Sequence, residues 1–136
     1  MQYPERPTYP AFNPKAATPG LYTLEPSESI TTFLDVAKQA NFQVFHIEGQ
    51  QITSLDRYFQ VLADLFQFPN YFGKNWDAVA DCLMDLAWEE GDRVLIVYSN
   101  YQDLREDRNW EVAMEVWSDA IEFWQRQGVM VAVVLG

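Results

Sequence analysis

The stretch Phe68-Pro69-Asn70-Tyr71-Phe72-Gly73-Lys74-Asn75-Trp76-Asp77-Ala78-Val79-Ala80-Asp81-Cys82-Leu83-Met84-Asp85 decides how the chain is read. Pro69 stops a preceding helix, Gly73 permits a tight backbone turn, and Asn75 stands where it caps the helix that follows. At 100° per residue, Trp76, Val79, Ala80, Leu83, Leu86 and Ala87 fall on one apolar stripe, and Asp77, Asp81 and Asp85 on a second that faces away from it. Aspartate is a weak helix former, and like charges one turn apart cost about 0.2–0.5 kcal/mol per pair. Helix formation alone does not select such a stripe.

Outward from this stretch, the acidic helix is expected over residues 75–88, closed by Gly91, with an apolar strand over 93–98. On the other side, Thr53 and Asp56 suggest a capped helix start, and Leu55, Tyr58, Phe59, Leu62, Leu65 and Phe66 hold one face until Pro69. Residues 42–47 read as a strand buried on both faces, ending at the Glu48-Gly49 turn. His46 lies inside that strand, which favours a hydrogen-bonded structural role over a catalytic one.

Residues 100–109 read as a polar loop, and the last helix is expected over 109–127. Trp110, Ala113, Met114, Trp117, Ala120, Ile121 and Trp124 form its apolar side, which Val112, Val116 and Phe123 widen well beyond an ordinary stripe. Such a helix is either covered on two sides, for example by the N-terminal helix or tail, or exposes a contact surface. Gly128 ends it and residues 129–135 form the final strand.

Upstream, Ile30, Phe33, Leu34 and Ala37 show helical spacing, started by Ser27 or Ser29 and stopped at Asn41, and residues 21–24 suggest a short edge strand. Residues 1–20 carry five prolines interleaved with Tyr3, Tyr9 and Phe12. They form a proline-rich arm, either loosely held or laid along the domain, ahead of a domain over 21–136. Strands joined by helices of this length imply right-handed crossovers. The fold class is therefore α/β, a small sheet of three main parallel strands packed with helices.

The chain's 136 residues suit one domain, and 49% hydrophobic with 15% aromatic content is the composition of a folded protein despite a net charge of -11. A surface so negative repels nucleic acid and anionic lipid and speeds encounter with a basic protein. Cys82 alone excludes an intrachain disulfide, and His46 alone argues against zinc and against a histidine triad. No cofactor is expected. The N-terminus has no apolar signal-peptide core and no run is long enough to span a bilayer, so a cytoplasmic protein is the simplest expectation.

Asp77 and Asp81 could be read as an acid/base pair, but side chains one turn apart on a convex helix point the same way and enclose no substrate. A Mg²⁺ or Ca²⁺ site from the three aspartates lacks identifiable further oxygen ligands. Cys82, with no histidine beside it, reads as an inert thiol. Trp88 falls, by helical extrapolation, on the same face as the aspartates, or tucks under the loop at 89–93.

The run from Tyr71 to Leu83, Tyr-Phe-Gly-Lys-Asn-Trp-Asp-Ala-Val-Ala-Asp-Cys-Leu, resembles the barstar family, intracellular inhibitors of secreted ribonucleases. The likeness extends in element order from the strand at Phe42 to Leu135, about two-thirds of the chain. It implies a non-enzymatic protein that presses this helix and the preceding loop into the active site of a basic ribonuclease. By that resemblance Asp81 mimics a substrate phosphate, Asp77 adds a charge pair, and Tyr71 packs beside the enzyme's catalytic histidine. The expected partner-binding set is Tyr71, Phe72, Gly73, Asn75, Asp77, Ala80, Asp81, Asp85 and Trp88. Ala80 stands where the family's founding member has a contact tryptophan, and Phe123 where it has an interfacial glutamate, with Glu122 adjacent. The implied plug is kept and its rim rewritten, which points to a different ribonuclease or a weaker contact. The alternative is an assembly module that uses the apolar face of the last helix.

Overall fold

Strands β1 (Gly20–Thr23), β2 (Gln43–Glu48), β3 (Arg93–Ser99) and β4 (Met130–Leu135) form one parallel sheet in the order β1-β4-β3-β2. Among the described residues four α-helices accompany it: α1 (Ile30–Gln39), α2 (Leu55–Phe66), α3 (Trp76–Leu83) and α4 (Asn109–Arg126). The computed structural model describes residues 9–24, 28–69, 72–86, 88, 92–100 and 109–136. Tyr71, Ala87, Gly91, Ser27, residues 1–8 of the proline-rich arm and residues 101–108 of the expected polar loop lie outside the described residues.

The α/β class with a parallel sheet agrees with expectation, but the strands among the described residues number four. The short 20–23 segment pairs in register with β4, Leu21 opposite Val133 and Tyr22 opposite Val134. Its N–H and C=O groups thereby satisfy what would otherwise be the open edge of β4. A second correction concerns β2. Its apolar run suggested burial on both faces, yet it is the outer strand, and only Ile47 is buried. The two strands that are buried almost throughout are β3 and β4.

Alternation along these inner strands splits the core in two. Val94, Ile96, Tyr98, Val131, Val133 and Leu135 face the larger layer, formed by α2, α3 and α4. Leu95, Val97, Ala132 and Val134 face the other way, where Phe33 and Ala37 of α1, with Phe12 and Phe42, cover them. The N-terminal helix thus packs on the face opposite α4 and does not cover the widened side of that helix. Inside the larger layer, the Trp117 indole N–H donates to the Tyr58 hydroxyl at 3.2 Å, and burial raises the Tyr58 pKa well above its ordinary value.

The second half of the arm is part of this structure. Phe12 is 7% exposed and meets Tyr22, Phe33 and Phe42 edge-on, with centroids 5.2–5.9 Å apart. Backbone bonds from Phe12 N–H to Thr23 O and from Thr23 N–H to Pro10 O fasten it along β1. Proline suits such an edge because its missing donor faces away from the ladder.

Helix ends follow local chemistry. Ser29 caps α1, and Ser54, between the expected Thr53 and Asp56, caps α2 by accepting from Arg57 N–H. Gln67 ends α2 in the left-handed region at φ 55°, just ahead of Phe68 and Pro69. At the sheet's carboxyl end, His46 Nε2 lies 2.7 Å from Ser99 Oγ, which donates to Glu48 at 3.2 Å. This is the structural role expected for the histidine. Gly49 sits so close to the Asn100 carbonyl that any Cβ would collide with it.

Candidate functional site

α3 starts as the sequence implies. Asn75 Oδ1 accepts from Ala78 N–H at 2.8 Å, and the Asn75 side-chain amide donates to the Gly73 carbonyl at 3.3 Å. The strained backbone is one residue from where it was expected: Lys74, at φ 49°, makes the left-handed turn. A Cβ at Gly73 would stand 3.1 Å from the Asn75 amide nitrogen, so a larger residue there would displace the capping side chain by a few tenths of an ångström.

The inner face of α3 buries Val79 and Leu83 fully, with Trp76 and Ala80 partly buried beside them. Two indole bonds lock this helix to α4. Trp76 Nε1–H donates to Asn109 Oδ1 at 3.2 Å, and Trp124 Nε1–H donates to the Leu83 carbonyl at 2.8 Å. The second bond satisfies one of the carbonyls that a helix C-terminus leaves open. Trp76 also packs edge-on against Phe59 and tilts against Tyr58. Phe72, ahead of the helix, packs edge-on against Phe59 and Phe68, and its N–H closes a turn on the Pro69 carbonyl. Periodicity places Trp124 on the apolar side of α4 but does not show its bond to Leu83, because an indole at helical spacing looks like core whether or not its N–H has a partner, and Asn109 at the loop boundary carries no signal of its bond to Trp76.

The outer face is unpaired. Asp77, Asp81 and Asp85 are all exposed, and among the described residues no cation pairs with them. Asp77 sits in the first turn of α3, where the helix dipole favours a carboxylate. Asp85 lies beyond the last turn, where the dipole opposes it. Asp77 is therefore favoured where it stands, while Asp85 and the like-charge spacing of the stripe act against the helix. Burial, then the charges of Asp81 and Asp85, raises the Cys82 thiol pKa, which agrees with an inert thiol. No grouping of three or more metal-ligating side chains occurs among the described residues.

Beside this face, Asp119, Glu122, Phe123 and Arg126 of α4 meet Met84 around an open groove of about 280 Å³. Glu122 and Arg126 pair with each other at 2.5 Å, leaving Asp119 as the further acid there. Its signal in the sequence was faint, an exposed position one turn before Phe123. Val116 is buried and Val112 packs on the larger core, so of the three widening residues Phe123 alone reaches this groove.

Trp88 is not where helical extrapolation put it. α3 ends at Leu83, and Trp88 packs against Phe45 of β2 and Trp124 of α4, at 5.8 and 5.5 Å. Tyr71 lies outside the described residues, while Phe72, Gly73 and Asn75 stand ahead of α3, Asp77 and Asp81 on its outer face, Ala80 partly buried on its inner side and Asp85 past its end.

Compared with known proteins, residues 42–136 match the family described as Barstar (barnase inhibitor). The chain belongs to the barstar family. That family is one of ribonuclease-binding protein inhibitors and not of enzymes, and the match begins at the residue before β2 and takes in α2, α3, α4, β3 and β4. β1, α1 and the packed part of the arm lie outside it. No curated protein matches the chain.

Proposed function

We propose that this barstar-family protein inhibits a basic ribonuclease in the cytoplasm by seating Asp81 in the enzyme's phosphate-binding site. One observation carries the reading: Asp81 projects unpaired from a helix whose two ends are tied to α4 by indole hydrogen bonds. A carboxylate already held in place loses little freedom on binding, and guanidinium or imidazolium groups would engage it through charge-assisted bonds. Asp77 extends the charge along the helix, Phe72 supplies an aromatic margin that excludes water, and Tyr71 is the residue that the family resemblance sets beside the enzyme's catalytic histidine. Asp119 and Phe123 then stand as a rim on α4, in place of the tryptophan that Ala80 does not supply. Inhibition is by occlusion, with no bond made or broken.

The competing reading, assembly through the apolar face of α4, loses support because Val112 and Val116 are occupied by the core. The test is a pull-down from native lysate and secreted fraction, wild type beside Asp81→Ala, followed by calorimetry on the captured protein. The expected result is a basic protein with ribonuclease activity, blocked by wild type and bound more weakly by Asp81→Ala by over about 2 kcal/mol. Added salt should reduce its affinity through slower association. Equal capture by the two proteins, or a captured enzyme that stays active when bound, would refute the proposal.

A further inference from the structure

The two edges of the sheet differ. Along β1 the arm lies as an extended cover, with Phe12 N–H donating to Thr23 O and Thr23 N–H to Pro10 O. Along β2, at the opposite edge, no backbone among the described residues does the same.

The ladder itself fixes which groups β2 leaves open. Gly136 N–H donates to Tyr98 O and Met130 N–H to Asp92 O, so Asp92 and, by alternation, Val94, Ile96 and Tyr98 direct their backbone groups at β4. Arg93, Leu95, Val97 and Ser99 therefore direct theirs at β2. Ile47 stands opposite Tyr98 and so bonds between Val97 and Ser99, which makes Gln43, Phe45 and Ile47 the inward-bonding residues of β2. Val44, His46 and Glu48 turn their N–H and C=O groups outward. All three are partly exposed, and none has a backbone partner on that side among the described residues.

An open row of donors and acceptors is a template for a further strand, and proteins usually blunt it with Lys, Pro, a bulge or a very short strand. β2 carries none of these. It runs for six residues in unbroken register with β3 and contains no Pro, Lys or Arg. Its one acidic side chain, Glu48, is occupied locally, accepting from Gln50 N–H, Asn100 and Ser99 at 2.9–3.2 Å. What guards the edge is the charge of the whole chain. At -11 it repels a second copy of the chain and attracts a basic one. The backbone row selects an extended segment, and the charge selects its sign.

We propose that the β2 edge binds an extended segment of a basic protein, which adds to the sheet as a further strand and pairs its backbone with Val44, His46 and Glu48. Main-chain bonds hold the segment, and the acidic surface steers its lysine or arginine side chains. This edge shares no residue with the Asp77–Asp81 face. Its test needs no ribonuclease, so it fails or stands apart from the inhibition reading.

The test is an NMR titration of the full-length, ¹⁵N-labelled protein with a six-residue peptide of alternating lysine and valine, capped at both ends. The expected result is a saturable shift of the Val44, His46 and Glu48 amides, with slower hydrogen exchange at the same three. The Gln43, Phe45 and Ile47 amides, already bonded to β3, should move less. The same peptide N-methylated at every residue keeps its charge but has no backbone donor, and should bind at least about tenfold more weakly. An alternating glutamate and valine peptide should also bind at least about tenfold more weakly. His46→Pro removes the central outward donor and no bond to β3, so a folded variant should lose about tenfold in affinity. No saturable shift, or equal binding of the N-methylated or the acidic peptide, would overturn the proposal. So would shifts confined to Asp77, Asp81 and Asp85, which would put the peptide on the acidic helix. A concentration-dependent shift of the three outward amides without peptide would make the occupant a second copy and overturn it too.

Discussion

The two faces of the sheet have different origins in the chain. The face under α2, α3 and α4 is built within residues 42–136, the part that matches the barstar family, and it carries the acidic helix. The opposite face also comes from the matched part in its strands, through Leu95, Val97, Ala132 and Val134, but its cover comes mostly from outside: Phe12, Phe33 and Ala37. The acidic helix lies on one side of the sheet while a separate segment covers the other. A change to the cover should therefore act on stability, and a change to the acidic face on binding.

Four perturbations, in falling order of effect, can break or sharpen that division. Removing residues 1–40 would bare both the lower apolar face and the edge of β4, and the remaining chain should aggregate or lose its cooperative melt by circular dichroism. A melt close to that of the full chain would mean that the cover is dispensable. Phe12→Ala should destabilise by about 3 kcal/mol in a urea titration, since the ring is buried against three others, and leave affinity for the ribonuclease partner unchanged. Asn75→Ala removes the cap of α3 and should cost about 1 kcal/mol of stability. It sharpens the comparison because the residue sits on the recognition side yet acts on folding, so affinity should fall less than in Asp81→Ala.

The smallest effect is one of pH. Partial burial raises the Glu48 pKa, but hydrogen bonds from Gln50 N–H, Asn100 and Ser99, helped by the charge of His46, outweigh it and hold the carboxyl below its ordinary value. With the folded pKa depressed, the stabilisation is fully present above the ordinary glutamate value and is lost as pH falls through the folded one. Glu48→Gln should accordingly flatten the acid limb of the stability profile without altering neutral affinity. If the limb keeps its slope, Glu48 is not its source.

Much of the larger layer was readable from the sequence because its cues are local. The α2 stripe, the Asn75 cap and the wide α4 face all appear where periodicity and capping chemistry placed them. The end of α3 was not, because periodicity continued through Leu86 and suggested a helix to residue 88. Packing overrides it: Trp124 takes the Leu83 carbonyl, and Leu86 and Trp88 leave the helical path to line the corner beside Phe45. The exposure of β2 was equally hidden, since being outermost depends on which strands join the sheet, and no residue in the run 43–48 encodes that. The segment 20–23 shows itself in the sequence as a short edge strand, but its place in the sheet does not, as its partner lies more than 100 residues away along the chain.

That pairing also bears on how the protein comes to be folded during synthesis. Gly20 sits opposite Ala132, roughly 110 residues along the chain, so β1 has nothing to join until β4 has left the ribosome. The earlier strand of the pair waits for the later one. Until then the helix α1 and Phe12 wait without their apolar seat, and the closing of β1 onto β4 is expected to be a late event in folding, paced by translation.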